Sequence, residues 1–297
     1  MIRKAQLKQS AASYLLILPA LAVFTVIVTI PLLQNIWLSF TNWDGLLSKP
    51  EYIGLKNYLR LFSDPNFYAA LRVTFLFTVV VLFFQQALAI FTAVLVEKNT
   101  ALNKFFRSVL FIPCLLTTVV VGLVFSYVFN VNLGVFNLLC GKLGLTGLAA
   151  VDWLGDERFA LLMCCFTAVW QYAGYNMIIY LGALKNIAAE YYESAEIDGA
   201  SPWRQFRHIT FPLLAPALTV NSLITVIGCL KQFDIPFILT KGGPGTATQT
   251  VAILLYKDAF FMSDAGYVAA ESFILLLIVL VISVFQTRYF AAREVNL

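Results

Sequence analysis

The sequence predicts an all-α membrane protein with six transmembrane helices. Three observations carry that expectation. Hydrophobic residues make up 60% of the 297 positions. Charged residues make up 12%, against about 25% in a soluble globular domain. The charges also leave six long gaps, at 9–43, 73–96, 108–141, 159–184, 208–230 and 272–287. A spanning helix needs about 20 mostly apolar residues. Five gaps are long enough outright, and the sixth becomes long enough if Glu271 sits at a membrane boundary. A soluble fold of this size could not hide so much apolar side chain, which excludes an ordinary soluble enzyme and a disordered or collagen-like chain. The net charge of +4 is too mild and scattered to imply a nucleic-acid partner.

The spans are placed near 12–34, 73–96, 107–129, 160–184, 211–232 and 267–288, within one transmembrane domain over 1–297. The first is too long for a signal peptide, lacks an A-x-A-like site and is read as retained. After it, 41–66 is polar and turn-rich. Asn57–Phe62 suits a short helix on the membrane surface, and Ser63-Asp64-Pro65 reads as a helix start. Residues 97–106 make a short inner loop. The outer loop 130–159 is rich in glycine, with Trp153 as an interface anchor. A second outer loop, 233–266, contains the break KGGPG at 241–245.

Six spans put both termini on one side. Eleven basic residues then share that side in the shorter segments, against nine on the other. The positive-inside rule makes the termini cytoplasmic. The five cysteines have no CxxC spacing and four lie in spans, so they read as buried thiols rather than disulfides or zinc ligands.

The inner loop 185–211 is the most informative segment. Ala188–Asp198 is Ala- and Glu-rich and favours helix, and Gly199 suits a helix stop. Ser201-Pro202 reads as an N-cap followed by proline at the first helical position. Trp203–His208 suits a second short helix, and Pro212 marks entry to the next span. Ala195 and Gly199, four apart, offer a close-approach patch. Such an element suits docking into a partner's groove; lying on the lipid surface is the alternative.

Within the spans, Asn221, Thr225, Gly228 and Gln232 recur at spacings of 4, 3 and 4, one helical stripe with Cys229 beside it. Trp170, Gln171, Tyr172, Tyr175 and Asn176 cluster on the fourth span. Rings cover the C–H face of a sugar and amides bond its hydroxyls. Interhelical packing also concentrates such residues. Gln85-Gln86 reads as helix-to-helix bonding, and Glu271 as a residue near the outer end of the sixth span. A membrane enzyme would need paired carboxylates, H-E-x-x-H or a Ser–His arrangement in the spans, and none occurs. An ion-coupled secondary transporter would need midmembrane carboxylates and inverted repeats, which are not evident.

Glu193-Ser194-Ala195, then Gly199, then Ile209-Thr210-Phe211-Pro212 resembles the signature loop of bacterial ABC importer permeases: E-A-A, three residues, G, nine residues, I-x-L-P. Ser194 and Phe211 depart mildly from it. YIGLKNYLRLFSDPNF at 52–67 and FDIPFILTKGGPGTATQT at 233–250 resemble outer loops of the carbohydrate branch, the maltose and glycerol-phosphate type permeases. The resemblance implies the type I importer permease fold, in the bacterial plasma membrane. It implies half of a pathway for a sugar or oligosaccharide, with other solutes such as glycerol-phosphate or amino acids as alternatives. It also implies a second permease subunit, two ATPase subunits and an extracytoplasmic solute-binding protein. The chain contains no G-x-x-x-x-G-K-[ST], so ATP and Mg belong to the partner ATPase.

By the same resemblance the ATPase docks on the 188–200 loop, with Glu193, Ala195, Asp198, Gly199, Ala200 and Arg204 as coupling residues. The substrate pathway is implied to include Gln171, Tyr172, Tyr175, Thr225, Gly228, Cys229 and Gln232, with Cys114 and Thr118 after Pro113. Asn176 joins them from the fourth-span cluster. Gly228 and Cys229 replace the amide and aromatic residues that the family places there.

Overall fold

The structure, a computed structural model, describes residues 17–46 and 49–291. The start of the expected first span, 12–16, lies outside them. The described residues are mostly helical: α1 (Ile17–Leu38), α2 (Lys56–Leu61), α3 (Pro65–Leu95), α4 (Ala101–Leu115), α5 (Thr118–Val128), α6 (Val135–Lys142), α7 (Thr146–Ala149) and α8 (Glu157–Leu184). There follow α9 (Ala189–Ile197), α10 (Pro202–Leu213), α11 (Ala215–Leu230), α12 (Asp234–Thr240), α13 (Val251–Phe261) and α14 (Ala265–Ala291).

Among the described residues α1, α3 and α14 are long and apolar enough to cross a membrane, and two bent pairs raise the number to five if each pair is one span. Helix α8 is long enough at 28 residues, but Gln171, Tyr172, Tyr175 and Asn176 interrupt its apolar run. The bent pairs correct the expected third and fifth spans. The segment expected as one span over 107–129 turns by 99° between α4 and α5. Pro113 lacks an N–H for the helical ladder. Leu116 and Thr117 are extended, and the Thr117 hydroxyl accepts from the Val120 N–H at 3.4 Å to start a new helix. The expected fifth span, 211–232, likewise turns by 65° between α10 and α11. Pro212 and Pro216 flank that bend, each removing a backbone donor. Helix α3 begins at Pro65, as Ser63-Asp64-Pro65 implies.

The residues group into two units, one running up to Asp64 and over Leu255–Leu276, the other over Pro65–Leu254 and from Leu277 on. In the first unit, Asn57 Nδ2 donates to the Ser39 and Thr41 carbonyls at 3.0 and 2.8 Å. Asn35 Nδ2 donates to Ser272 Oγ at 2.9 Å, pinning α1 to α14. Arg60 pairs with Asp264 at 2.5 Å and covers the Tyr267 ring, whose hydroxyl donates to Asp64 at 2.9 Å. Burial, then the nearby Asp64 charge, raises the Asp258 carboxyl above its usual range, with Arg60 and Lys257 opposing. Glu271 is fully buried, and its two oxygens have no hydrogen-bond partner among the described residues.

In the second unit α8 packs along α3 and α4, α11 along α3, and α12 against α5 and α8. Two apolar clusters hold it. One gathers Phe77 and Val81 of α3, Phe125 of α5, Cys164 of α8 and Ile235 of α12. The other gathers Ala89 and Ala93 of α3, Met177 and Tyr180 of α8, and Leu214. Helix α8 approaches α4 closely at Gly174, where a Cβ would overlap the Leu110 carbonyl. Arg107 donates to the carbonyls of Val96 and Glu97, satisfying the open end of α3. Trp153 is buried rather than anchored at an interface: its indole N–H donates to Asn137 Oδ1 at 2.5 Å. The Asn137 amide in turn holds the Ala149 and Val151 carbonyls.

Candidate functional site: an uncharged cavity between two apolar clusters

A cavity of about 460 Å³ opens in the second unit. Its wall uses residues 81–85 of α3, 168–176 of α8 and 224–229 of α11, between the two apolar clusters along α3 and α8. Helix α8 contributes Ala168, Tyr172, Tyr175 and Asn176; α11 contributes Ile224, Thr225, Gly228 and Cys229. Gln232 follows α11, Cys114 comes from α4, and Val81 and Gln85 come from α3. No charged side chain is in this lining.

Eight of the ten residues expected on the pathway therefore meet at one cavity. The other two sit just behind its wall. The Thr118 and Tyr172 hydroxyls are 3.2 Å apart, so Thr118 orients a ring that lines the space. Gln171 is buried, and its Nε2 donates to the Leu116 carbonyl at 3.2 Å. That carbonyl is one that the α4–α5 break frees from the helical ladder, so Gln171 repairs the break. Asn221 is fully buried and donates to the Asn176 carbonyl at 3.1 Å. Trp170 packs on Phe125 with ring centroids 5.1 Å apart.

One hydroxyl ties three helices together at the wall. Thr225 Oγ1 is approached by Gln86 Nε2 at 3.0 Å, Asn176 Nδ2 at 3.1 Å and Gln85 Nε2 at 3.5 Å. The Tyr180 hydroxyl donates to Gln86 Oε1 at 2.5 Å. Gln86 thus bonds neighbouring helices as expected, whereas Gln85 lines the cavity, an assignment that the sequence reading missed. A signal for it exists. Thr74, Thr78, Val81 and Gln85 repeat at spacings of 4, 3 and 4, as on α11, and all are buried.

The loop residues form a separate, exposed feature. Helix α9 has no buried residue. Its end is a Schellman turn: the Gly199 N–H reaches the Glu196 carbonyl at 3.0 Å and the Ala200 N–H the Ala195 carbonyl at 2.8 Å. Gly199 has φ +72°, which only glycine adopts without strain. Glu193, Asp198, Gly199 and Arg204 are exposed, and Ala195 and Ala200 half-buried. Glu193 forms no ion pair among the described residues. Beside it Ile197 is 87% and Trp203 69% exposed.

Helices long and apolar enough to cross a membrane, an uncharged cavity lined by amides and tyrosines among apolar side chains, and an exposed helical loop fit a membrane permease component. The chain belongs to the family described as binding-protein-dependent transport system inner membrane component, whose model matches residues 85–293. It is 37% identical to the "Probable ABC transporter permease protein YurN" of Bacillus subtilis, over 93% of this chain and 95% of that one. It is 34% identical to the lactose transport system permease protein LacF of Rhizobium radiobacter, over 95% and 94%. Its fold matches a crystal structure of a bacterial ABC transporter involved in the import of alginate, with TM-score 0.84 and 21% identity, covering 98% of this chain and 99% of that chain. The chain is a transport component rather than an enzyme.

Proposed function

We propose that this chain is the sugar-handling permease subunit of an ATP-driven importer, and that its cavity holds an uncharged saccharide during transit. The observation that carries the reading is the lining itself: two tyrosine rings, three amides and a threonine hydroxyl, without a charge. Rings and amides match the two faces of a sugar. A phosphate ester or an amino acid needs countercharge in a buried site, and this wall has none to offer. The volume lies in the usual range for small-molecule sites, roughly 300–1,000 Å³. A relative named for lactose transport supports the same class.

The remaining parts follow the same reading. The chain crosses the membrane six times, with each bent pair counting as one span and α8 as another, and both termini are cytoplasmic. The 188–200 loop docks into a partner ATPase, which binds ATP and Mg. The exposure of Glu193, Ile197 and Trp203 supports this, since a docking surface must be free before its partner arrives. A second permease subunit completes the pathway, and an extracytoplasmic binding protein delivers the sugar. Closure of the ATPase pair moves the loop and alternates access to the cavity by rigid-body rotation.

Affinity purification of the chain from its native membranes, with mass spectrometry of what accompanies it, tests this reading. A P-loop ATPase and a second permease are the expected companions. The reconstituted complex is then to accumulate a neutral sugar from the panel maltose, lactose and trehalose. Isolation of the folded chain with no ATPase overturns the docking role, and uptake confined to charged solutes overturns the cavity assignment.

A further inference from the structure

We infer that Gln85 is a solute-contacting residue, the one member of the Thr225 amide network whose side chain is released to read a ligand hydroxyl. The inference rests on the sugar-cavity reading above and extends it to a third helix, α3.

The argument is one of hydrogen-bond capacity. A hydroxyl oxygen has two lone pairs, yet three amide donors converge on Thr225 Oγ1. One donor is surplus. Gln86 is fixed at both ends, by Thr225 and by the Tyr180 hydroxyl. Asn176 donates at 3.1 Å from a residue whose carbonyl is itself held by Asn221. Gln85 stands at 3.5 Å, the edge of hydrogen-bond distance, and this is its single bond among the described residues. It is only 4% exposed and lies on the cavity wall. With one long contact on the protein side and the cavity on the other, this amide has hydrogen-bonding capacity left for a hydroxylated solute. The primary amide both donates and accepts, so it can meet two neighbouring hydroxyls of one sugar ring.

Adjacent residues on a helix point about 100° apart. Gln85 and Gln86 therefore divide the work. Gln86 holds Thr225 in place, and Gln85 faces the space. Because the surplus donor is the one a solute engages, binding leaves Thr225 with its two proper partners and the wall undisturbed.

The test uses the assembled importer in proteoliposomes, with Cys229 as a reporter, since it lines the same cavity. Alkylation by N-ethylmaleimide is read on the Cys229 peptide by mass spectrometry, with maltose, lactose or trehalose titrated as protectant. Wild type is expected to be protected by at least one of them. Gln85→Met, which keeps the volume and loses the amide, is expected to need about 3- to 10-fold more of the same sugar, the effect of one lost hydrogen bond. If Gln85→Met fails to assemble, Gln85→Asn, whose amide stops one methylene short, is to show the same weakening. Protection of either variant at the wild-type concentration overturns the inference and leaves the sugar cavity standing. Absence of protection in wild type overturns the cavity reading, and the inference with it.

Discussion

The cavity wall and the 185–211 loop carry polar residues in opposite ways. At the wall, Asn176, Asn221, Thr225 and Gln86 are buried and bonded to one another. On the loop, Glu193, Asp198 and Arg204 are exposed. Buried polar groups need partners, and the wall supplies most of them itself, leaving Gln85 on one long contact and Asn221 Oδ1 without a partner among the described residues. An exposed surface has no such requirement, and its apolar residues Ile197 and Trp203 remain uncovered. Under the proposed function the wall is the binding chamber, and the loop is where a partner supplies the motion. Variants of the two regions should therefore fail differently.

The largest effect is expected on the loop. Gly199→Val forces a β-branched residue into φ +72°, where it is strongly strained. The Schellman turn then breaks and α9 loses its fixed end. Uptake by the reconstituted importer should fall by roughly 100-fold, the upper range of site-to-site coupling, and Glu193→Lys should act in the same direction. Sugar protection of Cys229 should stay at the wild-type level in both. A parallel loss of protection would remove the distinction between chamber and lever.

Gly174→Val attacks the chamber from behind. Its side chain meets the Leu110 carbonyl, so α8 must move away from α4. Overpacking of this kind costs about 1–3 kcal/mol. Thermal unfolding in detergent should shift downward, and the sugar should protect Cys229 poorly while α9 remains as accessible to protease as in wild type. Thr225→Val is milder, because the shape is kept and only the hydroxyl is lost. It leaves Gln86 and Asn176 without their acceptor, at a cost on the order of 1–2 kcal/mol. Protection should weaken with a smaller thermal shift than for Gly174→Val.

How far the two regions could be read in advance differs for a physical reason. The loop is short-range. Gly199, Ser201-Pro202 and the Ala- and Glu-rich run each act on neighbours in sequence, so both helices and the turn between them were legible. The stripe on α11 was legible in part: Thr225 and Gly228 reach the cavity as their spacing implies, whereas Gln232 reaches it from beyond the helix end. The break at Leu116–Thr117 was not. Pro113 is visible in the sequence, but a proline alone bends a helix without ending it. What stabilises the break is Gln171 on another helix, bonding the freed Leu116 carbonyl. Gln85 was missed because its stripe, Thr74, Thr78, Val81 and Gln85, is faint within a largely apolar helix, and because both adjacent glutamines are buried, so only contacts with other helices separate their roles. Asn221 shows the converse limit, since periodicity puts it on the cavity stripe and packing turns its amide to the Asn176 carbonyl.

The smallest effect is expected outside both regions, at the start of α8. Asp156 caps that helix, accepting from the Arg158 N–H at 2.9 Å, and pairs with the Arg158 guanidinium at 2.6 Å. Hydrogen bonding from the Arg158 side chain, then from its backbone, holds the Asp156 carboxyl down at about 2. A depressed carboxylate gives its stabilisation in full above the usual carboxylate range, and loses it only as pH falls toward that lowered value. Asp156→Asn keeps a capping oxygen and gives up the charge. From pH 5 to 8 the melting temperature should therefore fall only slightly below that of wild type, and Cys229 protection should match it. Below about pH 4 the wild type alone should lose the small contribution of the pair, so the two melting curves converge. An exposed pair contributes little, so a clear fall in melting temperature or uptake for Asp156→Asn at neutral pH would mean that this end of α8 takes part in the transport cycle, a third region besides the chamber and the loop.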